Sequence, residues 1–345
     1  MLKFITNAAV LATSTILCIC FFEYMVRIML PQYDPSGHIG FTINSDGTPI
    51  SKKRGVFRQI KNTGDYNVLV QINPLGLRES KPLETSTLND YFVVGDSFSF
   101  GWGVNENNRF SNILGRLIVG TRIFNISIPT DFAGYDKLIS YARKNGAKIN
   151  KLIIGVTMEN DLKDYGSADT SNSRRKIQPD NMLYLNQLKY FLRNNSATYF
   201  LITSFIHQTS LLKDLAKSAG LIIDNYKVLK INSYNNAIIK KSAKKLHSIA
   251  QNLETLVLII PSRRLWVGDK NTKKIADENH KSFIAEIRKF NIEYIDMRQI
   301  MERKGNPMKF HFRYDGHWNK EAHNLAAKEL ANKINSVKKI SDGVK

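Results

Sequence analysis

A serine, an asparagine and an aspartate–histidine pair are the residues of this sequence whose types and spacing suit acyl transfer. Ser97 ends a Gly-Asp-Ser triplet, Asn160 lies within Glu-Asn-Asp, and His317 follows Asp315 by two positions. A serine hydroxyl becomes a nucleophile when an imidazole takes its proton, and a carboxylate fixes the tautomer of that imidazole. The backbone N–H groups of Ser97 and Gly134 and the Asn160 amide are candidate donors to the oxyanion that such a reaction creates.

Five short apolar runs, separated by segments with helical periodicity, predict the scaffold that would bring these residues together. The runs are Tyr91–Val94, Arg122–Ile126, Lys151–Val156, Thr255–Ile260 and Ile292–Asp296. This alternation predicts an α/β fold: a five-stranded parallel sheet in a three-layer α/β/α sandwich, flavodoxin-like in type. Ligands of such sheets bind beyond the carboxyl ends of the strands. The candidate residues follow the first, second, third and fifth runs, so we expect them to meet at one edge.

About a hundred residues separate the third run from the fourth. A compact domain rarely contains so long a loop without secondary structure. The patterns predict an apolar-rich helix over Met182–Lys217 and a basic helix over Val228–Leu253. We therefore expect a helical insertion at about 163–250, acting as a lid or as a membrane-facing element.

The first 30 residues predict a membrane anchor. The run from Phe4 to Met25 contains only one charged residue, Glu23, and 22 helical residues span the hydrocarbon layer of a bilayer, about 30 Å thick. A cleaved signal peptide is the competing interpretation, although no clear cleavage site follows. We expect a single-pass inner-membrane helix (residues 1–30), a juxtamembrane extension (31–88) and a catalytic domain (89–340) in the periplasm.

Composition excludes several classes of function. Two cysteines, Cys18 and Cys20, both lie in the predicted anchor, so the domain has neither a thiol nucleophile nor a disulfide framework. No phosphate-binding glycine loop and no Gly-x-Ser-x-Gly elbow occurs in the chain. The histidines His311, His317 and His323 have no metal-site spacing. We therefore predict neither a cofactor nor a metal ion.

The motifs resemble those of the SGNH, or GDSL-type, hydrolase superfamily. Gly-Asp-Ser-Phe ending in Phe98 resembles its first block, Gly134 its second, Asn160 its third, and Asp315-Gly316-His317 its last. The resemblance implies that Ser97 is the nucleophile, that His317 and Asp315 form the base, and that Ser97, Gly134 and Asn160 form the oxyanion hole. The sequence departs from the family in its Asp-x-His spacing, where Asp-x-x-His is common, and in Phe98, where leucine is usual.

The net charge of +20 bears on partners. The lysine-dense stretch between 227 and 245 carries no nucleic-acid motif, so we expect a solvated helix face and no nucleic-acid partner. Arg263, Arg264 and Trp318 are candidates for substrate contact. The resemblance implies an esterase acting on an O-acyl, such as acetyl, group of an envelope glycan or lipid. An O-acyltransferase and a non-catalytic glycan-binding protein remain alternatives, and the sequence does not indicate an oligomeric state.

Overall fold

The computed structural model describes residues 2–165, 183–221 and 233–343. The strands of these residues are β1 (Phe41–Ile43), β2 (Pro49–Ser51), β3 (Gly55–Ile60), β4 (Asn67–Ile72), β5 (Tyr91–Gly95), β6 (Ile123–Asn125), β7 (Lys151–Thr157), β8 (Glu254–Ile260) and β9 (Glu293–Asp296). The α-helices are α1 (Leu2–Met29), α2 (Ser97–Phe100), α3 (Phe110–Leu117), α4 (Phe132–Lys144), α5 (Leu183–Asn195), α6 (Ala197–Gln208), α7 (Ser210–Ser218), α8 (Asn236–Ala250), α9 (Lys270–Arg288), α10 (Met297–Arg303) and α11 (Lys320–Gly343).

The chain divides into two compact units. One unit, which we call the helical unit, comprises residues 1–38 and 58–67 together with the described residues between 183 and 221. It contains α1, α5, α6 and α7. The other, the sheet unit, comprises residues 39–57, the described residues from 68 to 165 and the residues from 233 onward, and it contains every candidate site residue.

The sheet unit is built on five parallel strands in the order β6-β5-β7-β8-β9. Counted along the chain, these are the second, first, third, fourth and fifth strands of the sheet, which is the flavodoxin-like order. The predicted five-stranded parallel sheet is therefore confirmed. In this order the topological switch point lies between β5 and β7, whose carboxyl ends precede Ser97 and Asn160.

Side chains of the strands alternate between two buried clusters, one on each face of the sheet. On β5, Phe92 and Val94 pack with helices α4, α8 and α9, whereas Tyr91 and Val93 pack with α3, α10 and α11. Strands covered on both faces read as continuous apolar runs rather than alternating ones. This explains why β5, β7 and β8 appear in the sequence as unbroken apolar segments.

The region between β7 and β8 differs in part from its prediction. Two capping residues break the apolar-rich stretch expected as one helix over Met182–Lys217 into α5, α6 and α7. Ser196 caps α6 by accepting a hydrogen bond from the Tyr199 amide, and Thr209 stands between α6 and α7. The basic helix α8 buries Ile239 and Leu246 against the sheet, so it covers the sheet and is not part of the insertion. The predicted basic helix over Val228–Leu253 is thus shorter, since α8 begins at Asn236 and ends at Ala250. Met182 and 228–232, also predicted as helical, lie outside the described residues.

Candidate active site

Ser97 is presented by a sharp turn between β5 and the short helix α2. Asp96 caps α2, because its Oδ1 accepts a hydrogen bond of 2.9 Å from the Phe98 amide. Ser97 is the first residue of the helix, so its own N–H belongs to the amides that have no partner within the helix. Ser97 is partly exposed, whereas Ser99, two residues further along, is fully buried. Of these two serines, Ser97 is thus the one that is open to solvent.

Two glycines allow α2 to lie directly on the sheet. A Cβ on Gly95 would stand 2.2 Å from the Ser99 Oγ, and one on Gly155 would stand 2.0 Å from the same atom. No side chain fits at such distances. The close approach of α2 to β5 and β7 therefore requires glycine in both strands.

His317 contacts both partners expected of a general base. Its Nε2 lies 2.8 Å from the Ser97 Oγ, and its Nδ1 is hydrogen-bonded to Oδ1 of Asp315. An ionised carboxylate only accepts, so Nδ1 carries the proton and Nε2 is free to accept from the serine hydroxyl. The short Asp-x-His spacing therefore still forms a Ser–His–Asp chain of hydrogen bonds.

A left-handed residue makes this short spacing workable. Gly316 has a φ of +91°, a conformation that glycine adopts at no steric cost. Its missing side chain also leaves room for Arg263, whose Nη1 would lie 1.4 Å from a Cβ at that position. The same Nη1 donates a 3.2 Å hydrogen bond to the Asp315 carbonyl. Arg263, at the carboxyl end of β8, thereby supports the turn that carries Asp315 and His317.

Two aromatic rings pack against the imidazole of His317. Phe98 lies 4.9 Å and Trp102 5.8 Å from His317, measured between ring centroids. Trp318 packs edge-on against Phe98 and has no exposed surface. A fully buried ring cannot touch a substrate, so the prediction of Trp318 as a substrate contact is wrong in this structure; the ring packs in the core between Phe98 and His323. Phe98 and Trp102 were not predicted as site residues, although both follow the Gly-Asp-Ser triplet closely.

Asn160 is tied to the nucleophile turn through Asp96. Its Nδ2 donates a 2.7 Å hydrogen bond to Asp96 Oδ2, and the Thr157 hydroxyl donates to Oδ1 of the same carboxylate at 2.9 Å. Burial raises the pKa of Asp96, while the hydrogen bonds from Asn160, Phe98 and Thr157 act in the opposite direction. Asn160 itself is exposed beside the turn, and an amide nitrogen has a second N–H to offer.

Gly134 lies in the first turn of α4, where Asp131 is the cap. The Asp131 carboxylate accepts from the amides of Ala133 at 3.0 Å and Gly134 at 3.4 Å. A Cβ at Gly134 would stand 2.0 Å from the Thr130 Oγ1. Close packing thus requires glycine here, independently of any role of its N–H toward an oxyanion.

A buried tyrosine links the Gly134 helix to the Asn160 segment. The Tyr135 hydroxyl lies 3.0 Å from both carboxylate oxygens of Asp161, and Oδ2 of Asp161 accepts from the Thr157 amide at 2.7 Å. Burial raises the pKa of Asp161 well above its usual value. The sequence offered no sign of this pairing, because the two residues are separated by a strand and a loop.

Arg78 binds the end of α2 and the segment that follows it. It lies in the Asn-Pro-Leu-Gly-Leu-Arg stretch, to which the sequence assigns no chemical role. Its buried guanidinium donates to the carbonyls of Phe100, Gly101 and Val104. Burial, together with the neighbouring positive charge of Arg109, lowers its pKa to about 9. The stretch therefore fixes the loop that carries Trp102.

Arg263 and Arg264, the remaining candidates for substrate contact, sit at the carboxyl end of β8. The Arg263 amide and the Ser262 hydroxyl both donate to Glu159 Oε1, at 3.1 and 2.9 Å. Arg264 is partly buried beside them. Within residues 2–165, 183–221 and 233–343, no group of three or more His, Cys, Asp or Glu side chains is arranged to hold a metal ion.

Comparison with known protein families gives a match over part of the chain. Residues 230–344 match a family described as SGNH hydrolase-like domain, acetyltransferase AlgX. The matched range contains Asp315 and His317, whereas Ser97 and Asn160 precede it. None of the curated proteins compared with the chain matches it.

Three solved structures illustrate the likeness in fold. A member of the lipolytic protein G-D-S-L family from Veillonella parvula is 12% identical, with a TM-score of 0.38 over 69% of this chain and 94% of that one. A lipase/acylhydrolase from Enterococcus faecalis is 11% identical, with a TM-score of 0.40 over 72% and 96%. A psychrotrophic esterase from Pseudoalteromonas sp. is 13% identical, with a TM-score of 0.38 over 73% and 99%. These scores are low, and the fold assignment rests on the strand order given above.

Proposed function

We propose that this chain belongs to the SGNH hydrolase superfamily and is a serine enzyme that removes the acyl group of an O-acyl ester through an acyl-Ser97 intermediate. One observation carries the proposal: the Nε2 of His317 lies 2.8 Å from the Ser97 Oγ while its Nδ1 is bound to Asp315. This is the arrangement in which an imidazole takes the proton of an attacking hydroxyl.

The reaction would run in two halves. The Ser97 Oγ attacks the acyl carbon as its proton moves to Nε2 of His317, and the carbonyl oxygen becomes an oxyanion. Collapse of this tetrahedral intermediate breaks the bond to the leaving alcohol, whose oxygen takes the proton from Nε2. Water then attacks the acyl carbon and gives one proton to Nε2 of His317. The bond between that carbon and the Ser97 Oγ breaks, Nε2 returns the proton to Oγ, and the acid leaves. Asp315 stays ionised and stabilises the imidazolium in each half.

Three donors are proposed for the oxyanion: the N–H of Ser97, the second N–H of the Asn160 amide, and the N–H of Gly134, which would exchange its long 3.4 Å hydrogen bond to Asp131 for the oxyanion. Asp96 supports this role for Asn160, because it holds the other N–H and so aims the amide. Each such donor typically contributes a factor of about 10²–10³ to the rate.

We assign the reaction to the cell envelope, on a glycan or lipid ester. Within the helix Lys3–Met29, a window of 18 residues has a mean hydropathy of 1.9 and contains no buried residue, which suits a membrane span. A single-pass inner-membrane anchor with the domain in the periplasm would place the enzyme beside envelope glycans and lipids. A phosphatase reporter fused after Lys345 should be active in intact cells; an inactive reporter in a stably expressed fusion would contradict this orientation.

The description of the matched family favours a second candidate, O-acyl transfer. The first half-reaction is the same, but a sugar hydroxyl instead of water attacks the acyl-serine, and His317 takes the proton of that hydroxyl. Purified full-length protein would be given p-nitrophenyl acetate with and without an added oligosaccharide. Release of acetate unaffected by the sugar supports hydrolysis, whereas acetylated sugar formed at the expense of acetate supports transfer. If the wild type forms no more acetate and no more acetylated sugar than Ser97→Ala does, both enzymatic proposals are refuted. The fold would then be a binding module.

A further inference from the structure

In the helical unit, a carboxylate of the anchor helix caps a helix of the insertion. Glu23, near the end of α1, accepts hydrogen bonds from the Ser196 hydroxyl at 2.9 Å and from the amides of Ala197 and Thr198 at 2.8 and 3.0 Å. These amides lie in the first turn of α6, where backbone N–H groups have no acceptor within the helix and a negative charge is stabilising. The contact joins α1 to the start of α6 through a charged group at a defined height along the anchor.

Arg27 strengthens the same junction from one turn further along α1. Its guanidinium contacts Glu23 at 2.8 Å and Asp34 at 2.6 Å, and it donates to the carbonyl of Asn195, the last residue of α5. The end of α5 and the start of α6 are thus both bound to the same turn of α1.

The height of this junction follows from the uncharged part of α1. Nineteen residues, Phe4 to Phe22, separate Lys3 from Glu23 without a charged side chain. As a helix they are about 28 Å long, which matches the hydrocarbon thickness of about 30 Å. Glu23 therefore lies where the anchor leaves the hydrocarbon layer, and the junction of α5 and α6 lies at the same level.

Both helices expose large apolar side chains around this junction. Leu188 and Phe191 on α5 are 53% and 59% exposed, and Ile202 and Phe205 on α6 are 50% and 64% exposed. Each pair is spaced by three residues, so each forms one face of its helix. Clustered exposed apolar surface on a folded protein marks an interaction site.

The charges of the same region fit a lipid surface. Lys189 and Arg193 accompany the apolar residues of α5, and no Asp or Glu occurs from Leu183 to Lys213. Burial and then the positive charges of Lys213 and Lys189 lower the pKa of His207, so basic groups surround the end of α6. Apolar faces flanked by basic residues bind the boundary between headgroups and acyl chains.

We propose that α5 and α6 form a membrane-surface platform, with their exposed apolar faces inserted into the headgroup layer of the bilayer beside the point where α1 leaves it. The proposal rests on the proposed anchoring by α1. It commits to lipid as the occupant, because the Glu23 and Arg27 contacts hold the apolar faces at the level of the bilayer surface.

Depth-dependent fluorescence quenching of the full-length chain tests the proposal. Cys18 and Cys20 would be replaced by serine, and single cysteines for an environment-sensitive dye would be introduced by Phe191→Cys and Phe205→Cys. Ile16→Cys reports on the anchor, and Val119→Cys, at an exposed apolar residue of the sheet unit, is the matched control. Variants whose circular dichroism matches the parent would be placed in vesicles of phosphatidylcholine and phosphatidylglycerol, with nitroxides near the headgroup, nitroxides at the chain end, or iodide in the water.

We expect labels at 191 and 205 to be quenched by headgroup nitroxides and several-fold less by iodide than the label at 119. The label at 16 should be quenched by the chain-end nitroxides. If 16 is deep but 191 and 205 respond to iodide like 119, the platform is refuted and the anchor stands. If 191 and 205 are shielded from iodide and from both nitroxides, protein covers them and the proposal is wrong. A label at 16 open to iodide refutes the anchor itself.

Discussion

At the scale of single residues, the Asn160 amide divides its two N–H groups between folding and chemistry. One is held by Asp96 at 2.7 Å, and the other is the one proposed to meet the oxyanion. Thr157 offers a comparison, because its hydroxyl donates to the same carboxylate at 2.9 Å but has no proposed catalytic part. Replacing each residue in turn therefore distinguishes a role in holding Asp96 from a role in stabilising the oxyanion.

Replacing Asn160 by alanine is expected to lower kcat for p-nitrophenyl acetate by a factor of about 10²–10³ with little change in KM, the usual loss for one oxyanion donor. Thr157→Val, which keeps the shape of the side chain and removes the hydroxyl that donates to Asp96, should retain most of the activity. Steady-state kinetics of the two variants measure the difference. Equal losses in kcat would mean that Asn160 only supports Asp96.

Residue types and their order were enough to predict Ser97, Asn160, Asp315 and His317 as one site, because parallel strands bring the loops that follow them to one edge. The hydrogen bonds that hold these residues in place could not be predicted from the sequence. Nothing in the sequence pattern links Asp96 to Asn160 across β5 and β7. Such contacts depend on side-chain directions that periodicity does not specify.

At the scale of elements, the turn that carries Asp315 and His317 depends on one glycine for two reasons. Gly316 has a φ of +91° and occupies the space beside the Arg263 guanidinium. Gly305 has a similar φ of +95° but nothing within 4 Å of an added Cβ. A side chain at either position would therefore strain the backbone, but only a side chain at 316 would also clash with a neighbouring group.

Gly316→Ala is expected to displace Arg263 or the turn, move His317 from Ser97, and lower kcat by more than about tenfold, as small misplacements of catalytic groups do. Gly305→Ala carries only the backbone strain, about 1 kcal/mol, and should keep its activity. Kinetics and melting temperatures of both variants distinguish the effects. An active Gly316→Ala protein would show that the turn is not held as described.

Elements were predictable where a single period ran through them. The five strands of the sheet follow from continuous apolar runs, and the segments between them from helical periodicity. Residues 182–217 were expected to form one apolar-rich helix, because the apolar content continues through residues 196 and 209. There, capping by Ser196 and the break at Thr209 outweigh that continuity. The short Asp-x-His spacing could be judged only with the φ of Gly316 in hand.

At the scale of the whole molecule, the sheet unit buries two arginines and one titratable histidine near its site. Arg78 and Arg109 are fully buried, and so is His323, whose Nδ1 accepts a hydrogen bond from the Phe110 amide at 3.3 Å. Burial, and after it the positive charges of Arg78 and Arg109, lower the pKa of His323 to about 3. The histidine is therefore neutral in the folded protein well below the pH at which it would ionise in the unfolded chain.

This difference makes the folded state sensitive to acid. Below the unfolded value of 6.5, the unfolded chain binds a proton at His323 that the folded chain excludes until about pH 3. Between these limits the free energy of unfolding falls by about 1.4 kcal/mol per pH unit as the pH is lowered, and above 6.5 the histidine contributes no slope.

His323→Gln removes this titration and leaves an acceptor for the Phe110 amide. Between pH 6.5 and 5, the stability of the wild type should fall by about 2 kcal/mol relative to the variant. Unfolding of both proteins in the same mild detergent, followed at several pH values, measures the relative change. A stability difference that stays constant with pH would contradict the buried, neutral state of His323.

The central claim concerns Ser97, and active-site labelling tests it most directly. A fluorophosphonate reacts with a serine only when a base activates it, and the fully buried hydroxyl of Ser99 provides a matched control two residues away. The account predicts that the wild type and Ser99→Ala are labelled, with the adduct on the Ser97 peptide by mass spectrometry, and that Ser97→Ala is not. An unlabelled wild type, or Ser97→Ala labelled as strongly as the wild type, would contradict it.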